Sequence, residues 1–188
     1  SVGAAFAALM ISMFSGFALS RYKRPRERNR IVLAFYFTQM IPNFIIMMPL
    51  YTMMAKMHLT DNLVTMGVLY TATSVAFSTI MAKSFFDNIP TALEEAALID
   101  GCNTLQAIFY VIVPVMFPGL AAIFSFSFVN IWNELFLAVM FLSSETKMTI
   151  PVALNSFISK AGVSWDILSA GIVIALLPTM IIFAFTQK

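Results

Sequence analysis

The sequence predicts an all-α fold: a polytopic transmembrane helical bundle with five spans in one domain, 1–188. Three observations predict it. Five apolar runs are each long enough to cross about 30 Å of hydrocarbon, which takes roughly 20 helical residues. Hydrophobic residues make up 60% of the chain and charged residues only 11%, whereas a water-soluble domain carries roughly a quarter charged residues because so much of it faces solvent. The Lys and Arg residues gather on alternate connections between the runs, the pattern that a bilayer imposes on topology.

The runs cover approximately 2–19, 31–55, 63–82, 115–142 and 167–186. Backbone polar groups in lipid need partners within the protein, so each is expected to be helical. The first lacks the basic leader and small-residue cleavage site of a signal peptide and counts as a span. The chain opens on Ser1 inside that run with no initiator Met and stops at Lys188 directly after another, so it reads as a fragment. Ala4, Ala8, Ser12 and Gly16 recur every four residues, giving α-helical spacing and a small face against which a neighbour packs closely.

The connection RYKRPRERNR holds Arg21, Lys23, Arg24, Arg26, Arg28 and Arg30 against the single acid Glu27. Such a cluster stays on the cytoplasmic side. Topology alone accounts for it, and no nucleic-acid partner is called for. Alternation then gives eight Lys and Arg inside, counting Lys83 and Lys188, and three outside, Lys56, Lys147 and Lys160. In the second run Pro42 and Pro49 each remove a backbone donor and are expected to kink one helix. The third carries Tyr70, Ser74 and Ser78 on one face. Either these hydroxyls face a polar pathway or, the favoured reading, they bond their own helix backbone.

The inner connection, 84–114, is too apolar for a disordered linker and reads as two short helices. Thr91 and Glu94 have the spacing of a capping box, and Gly101 suits the left-handed residue that ends a helix. Asn103 or Thr104 caps the second, which Pro114 is expected to interrupt or kink. Between Lys83 and Asp100 four acids, Asp87, Glu94, Glu95 and Asp100, face one base. An acidic inner loop is not held by anionic lipid and needs water or a basic protein partner.

One Cys, Cys102, and one His, His58, exclude an internal disulfide and a metal-ligand cluster. None of the seven glycines is followed by Lys, so the phosphate-cradling G-x-x-x-x-G-K-S/T pattern is absent. The chain is not expected to be an enzyme or to hold a cofactor.

The segment NIPTALEEAALIDGCNTLQAIFYVIVP contains E-A-A at Glu95, Ala96 and Ala97, then three residues, Gly101, nine residues, and Val111-Ile112-Val113-Pro114. It resembles the cytoplasmic signature of the permeases of ATP-binding-cassette (ABC) importers, with Val111 and Val113 standing for the more usual Ile and Leu. The resemblance implies a type I importer permease in which Glu94, Glu95, Ala96, Ala97, Asp100 and Gly101 form a coupling helix seated in a cleft of a separate ATPase subunit. Nearly the whole chain is most similar to the carbohydrate group, the second permease of maltose-type systems. PLYTMMAKMHLTDNL, NIWNELFLAVMF and LPTMIIFAFTQK carry that likeness; Leu98 and Cys102 depart from it. The family implies a bacterial inner-membrane location, a further amino-terminal helix and a short tail after Lys188. Its partners would be a homologous second permease, an ATPase dimer that binds ATP and Mg, an extracytoplasmic substrate-binding protein and the lipid bilayer.

Two further groups are candidate sites. Asn130, Asn133 and Glu134 fall on neighbouring turns of the fourth run, where a carboxylate facing lipid would be costly, so they are expected to face the translocation pathway or a packed helix. The outer connection, 143–166, holds Asn155, Ser156 and Phe157. By resemblance part of it contacts the binding protein; an interfacial segment anchored by Phe157 and Trp165 is the favoured reading. An importer of an amino acid or polyol is the alternative to a sugar importer. A secondary transporter is a weaker one, because it needs intramembrane coupling charges and only Glu134 is offered.

Overall fold

In a computed structural model that describes residues 1–159 and 162–186, the chain is built of helices. They are α1 (Val2–Ser20), α2 (Pro25–Met40), α3 (Asn43–Lys56), α4 (Leu63–Asp87), α5 (Ala92–Ile99), α6 (Thr104–Ala107), α7 (Val113–Trp132), α8 (Phe136–Phe141), α9 (Ile150–Ser156) and α10 (Trp165–Thr186). A π turn, Ile108–Ile112, joins α6 to α7, and a two-residue antiparallel pair, Ile158–Ser159 with Gly162–Val163, follows α9. Among the described residues four helical stretches are long and apolar enough to cross a membrane, or five if α2 and α3 form one bent span. Lys160 and Lys188, counted in the charge asymmetry, lie outside the described residues.

The core lies where α1, α4 and α7 pack. The small face of α1 makes this possible: Ala4, Ala8, Ser12 and Gly16 are all buried. A Cβ on Gly16 would stand 2.5 Å from the Ala82 Cβ and 2.8 Å from the Lys83 nitrogen, so the α1–α4 approach requires glycine there. Lipid tails are as apolar as the side chains, so packing and interhelical hydrogen bonds hold such contacts. One of those bonds joins Ser15 Oγ to Thr79 Oγ1 at 2.8 Å.

Two spans differ from expectation. The run 31–55 is not one kinked helix: α2 and α3 meet at 87°. Ile41, extended ahead of Pro42 (φ −77°, ψ 121°), makes the break, because the proline ring disfavours helical backbone in the residue before it. Pro49 is carried inside α3. The run 115–142 starts earlier and stops sooner. Helix begins at Thr104 and continues to Trp132, breaks over residues 133–135, and resumes as α8. Asn103 caps α6 in a reciprocal box with Gln106, at 2.8 and 2.9 Å. Pro114 does not end this helix; the π turn just before it widens the ladder where the proline offers no N–H.

Candidate functional site

One end of the bundle gathers the basic connection and the acidic helix α5. Arg21, the residue that closes α1, reaches across to Glu94, its Nε donating to Oε1 at 2.6 Å. The same guanidinium donates to the carbonyls of Phe86 and Ile89 at 3.2 and 3.0 Å and to Ser20 Oγ at 3.0 Å. Ser20 in turn donates to Asp87 at 2.7 Å, and Lys83 pairs with Asp87. Thus α1, the end of α4 and α5 are tied through one side chain.

This arrangement corrects the expected capping box. Thr91 makes no side-chain cap to α5, and Glu94 is spent on Arg21, whose charge-assisted bonds are the stronger offer. Gly101 adopts the left-handed backbone expected of it, at φ +88°, and the turn closes with Cys102 N donating to the Ala97 carbonyl at 3.0 Å. Ala97 is buried while Glu95, Ala96 and Asp100 are exposed. Beside them Leu98 and Ile99 are uncovered, Ile99 to 85%. In the sequence Arg21 reads only as a topology charge. Its pairing with Glu94, 73 residues away, is tertiary and leaves no local signal.

A cavity of about 410 Å³ lies between the α2–α3 break, α4 and the α7–α8 break. Asn130, Asn133 and Glu134 all line it, as do Tyr70, Ser74 and Ser78. Glu134 sits at the helix restart rather than in mid-helix. Its Oε1 accepts from Leu137 N at 2.8 Å, and its Oε2 accepts from Ala138 N and from the Tyr70 hydroxyl, both at 3.2 Å. Asn130 donates to the Phe126 carbonyl of its own helix at 2.8 Å. Asn133 projects from the break, exposed. The hydroxyl stripe of α4 departs from the favoured reading: Tyr70 bonds Glu134, and Ser78 bonds Ser127 of α7 at 2.9 Å.

At the opposite end Asn155, Ser156 and Phe157 close α9. Asn155 and Ser156 are exposed, with Ser156 Oγ donating to the Ala153 carbonyl at 2.7 Å. Nearby is a clamp the sequence did not reveal. Asp61, at φ +54°, accepts from the Ser143 and Ser144 nitrogens at 3.0 Å each, from Ser144 Oγ at 2.5 Å and from Lys147 Nζ at 2.8 Å. The Lys147 bond first, then those of Ser144, hold the Asp61 carboxyl well below the usual carboxylate range. Connections 57–62 and 143–149 therefore share one end and 21–24 and 88–103 the other, as the alternation of spans requires.

A protein family described as binding-protein-dependent transport system inner membrane component matches residues 8–188. The chain is 31% identical over 188 residues to the inner membrane ABC transporter permease protein YcjP of Escherichia coli (strain K12), covering 100% of this chain and 67% of that one. It is 31% identical over 180 residues to the sulfoquinovosyl glycerol transport system permease protein SmoH of Agrobacterium fabrum, covering 96% and 63%. Among solved structures, a bacterial ABC transporter involved in the import of the acidic polysaccharide alginate superposes with a TM-score of 0.80 at 28% identity, covering 100% of this chain and 70% of that chain. The chain spans about two thirds of the length of the curated relatives it matches.

Proposed function

The chain belongs to the family of binding-protein-dependent transport system inner membrane components, and from that premise we propose that it is the membrane-spanning permease subunit of an ABC importer for a sugar or oligosaccharide. The observation that carries this reading is the α5–Gly101 unit. It presents exposed Glu95, Ala96 and Asp100 beside uncovered Leu98 and Ile99 at the end of the bundle that holds the basic connection. An apolar patch rimmed by carboxylates in an aqueous compartment fits a protein partner with an apolar cleft and basic rim. In this reading the partner is an ATPase subunit, which holds the ATP and Mg. Arg21 ties α5 to α1 and α4, so movement of the docked helix reaches the spans as a rigid push.

The sugar class rests on the similar proteins, a sulfoquinovosyl glycerol permease and an alginate importer. The remaining partners are a homologous second permease and an extracytoplasmic binding protein, which Asn155, Ser156 and Phe157 would meet. The test is reconstitution of the permease pair with the ATPase and binding protein in proteoliposomes. ATP-dependent uptake of a sugar from a panel that also holds amino acids and polyols is the expected outcome. Uptake that ignores ATP and follows an ion gradient would overturn the reading. Cysteine pairs between 92–100 and the ATPase should cross-link; cross-linking confined to other segments removes the docking assignment.

A further inference from the structure

Resting on the importer reading, we infer that this chain carries its own solute subsite in the cavity between the two interrupted spans, and that this subsite accepts an uncharged polyhydroxylated group and disfavours an anionic one.

Both helix interruptions open onto the same space. Gln39 and Asn43 flank the Ile41–Pro42 break, Asn133 and Glu134 lie in the break after α7, and all four line the cavity. Non-helical backbone at membrane depth is tolerated only where protein or a water-filled cavity receives it, and facing interrupted helices are where membrane carriers hold solute. The volume, about 410 Å³, falls within the roughly 300–1,000 Å³ of small-molecule sites.

The wall is polar in a particular way. Tyr70, Ser78, Ser127 and Glu134 are paired with one another across helices, which fixes the shape. Gln39, Asn43, Ser74 and Asn133 line the space, and no side-chain hydrogen bond engages any of them among the described residues. Three amides and a hydroxyl offer donors and acceptors together, the complement of hydroxyl groups. Phe77 and Phe126, stacked at 4.6 Å between centroids, form an aromatic wall beside them, and the electron-rich ring faces suit the C–H side of a sugar. Among the described residues no Lys, Arg or His lines the cavity, and the one formally charged side chain there is the acid Glu134. An anionic solute would meet like charge with no cation to receive it, an arrangement that selects against it.

The intact importer in proteoliposomes tests this with paired probes, galactobiose against digalacturonate and cellobiose against cellobiouronate. Uptake should favour the neutral member of each pair. Asn133→Ala and Ser74→Ala should each raise KM for the neutral sugar about five- to tenfold, the loss of one hydrogen bond, while the permease still co-purifies with its ATPase. Asn133→Arg should raise the uronate-to-neutral uptake ratio at least about tenfold. Equal or preferred uptake of the uronates by the unaltered protein overturns the inference. So does unchanged KM in both alanine variants, or an unchanged ratio in Asn133→Arg. In those cases ATP-dependent uptake persists and the importer reading stands. Absence of uptake for every probe, with the panel of other solutes also negative, refutes the importer reading and the subsite with it.

Discussion

Replacing Arg21 with alanine removes the one side chain that, among the described residues, joins α1 to both α5 and the end of α4. The change deletes the bond to Glu94 and those to the Phe86 and Ile89 carbonyls, and leaves the Glu94 carboxylate without its cation. Hydrogen bonds to charged groups contribute about 1.5–3 kcal/mol each when well shielded. Both side chains of the pair are 18% exposed, so water screens part of that. The expected net loss is about 2–3 kcal/mol, which lowers Tm by roughly 5–10 °C for a chain of this size. Thermal unfolding of the purified permease complex measures it. A double-mutant cycle with Glu94→Ala should return a coupling energy of about 1 kcal/mol, and Arg21→Lys should recover only part of the loss, since an ammonium lacks the guanidinium fork. ATP consumed per solute imported should rise in Arg21→Ala, because α5 then moves without α1. Additivity of the two single changes within about 0.5 kcal/mol, or an unshifted Tm, would refute the idea that Arg21 and Glu94 form one strut.

Gly101→Val should cost about 1–2 kcal/mol through backbone strain alone, because φ is +88° and nothing lies within 4 Å of an added Cβ; Gly101→Asn should cost less, and equal losses in the two, read by thermal unfolding, would contradict this. Gly16→Leu should separate α1 from α4, since even a Cβ there would stand 2.5 Å from that of Ala82; a cysteine pair at Ser15 and Thr79 that cross-links in the parent should then fail to do so. The bonds of the Asp61 clamp depress its carboxyl pKa, so its contribution is fully present above the ordinary carboxylate value and is lost only as pH falls through the lower, folded value. Hydrogen exchange at the Ser143 and Ser144 amides should therefore stay protected from neutral pH down past the ordinary carboxylate range, and lose protection at every pH in Asp61→Ala, which has no acceptor there.

The presence of apolar, helical spans was legible because it depends on the solvent, and lipid leaves the chain few choices; the bounds of the runs 31–55 and 115–142 were not. Proline shows where legibility ends. Pro42 breaks a span at 87°, Pro49, Pro118 and Pro178 lie inside helices, and Pro114 follows a π turn. Each lacks the same donor; what differs is how neighbouring backbone absorbs the loss. The break at 133–135 carries neither Pro nor Gly, so nothing local marks it. Glu134 was visible as a lone intramembrane acid, but its partners are the amides of a helix restart that the apolar run concealed. Gly101 was legible because a left-handed turn between two short helices has a strong residue preference. Arg21 and Asp61 were not, because their meaning lies in partners 73 and more than 80 residues away.

The close seam between α1 and α4 has a consequence for how the protein is made. α4 leaves the ribosome after the two helices of the bent pair, yet its polar face, with Thr79 and Ser78, is matched to residues on α1 and α7 rather than to lipid. Release of α1 into the bilayer before α4 arrives would leave that face without its complement, at a cost in hydrocarbon. Helix α10 presents no such polar face: it has no buried residue, and its bond to α7 is accepted by a backbone carbonyl, Ala175 O from Trp132 Nε1 at 3.0 Å. Biogenesis of this chain therefore favours retention of α1 beside the insertion machinery until α4 emerges.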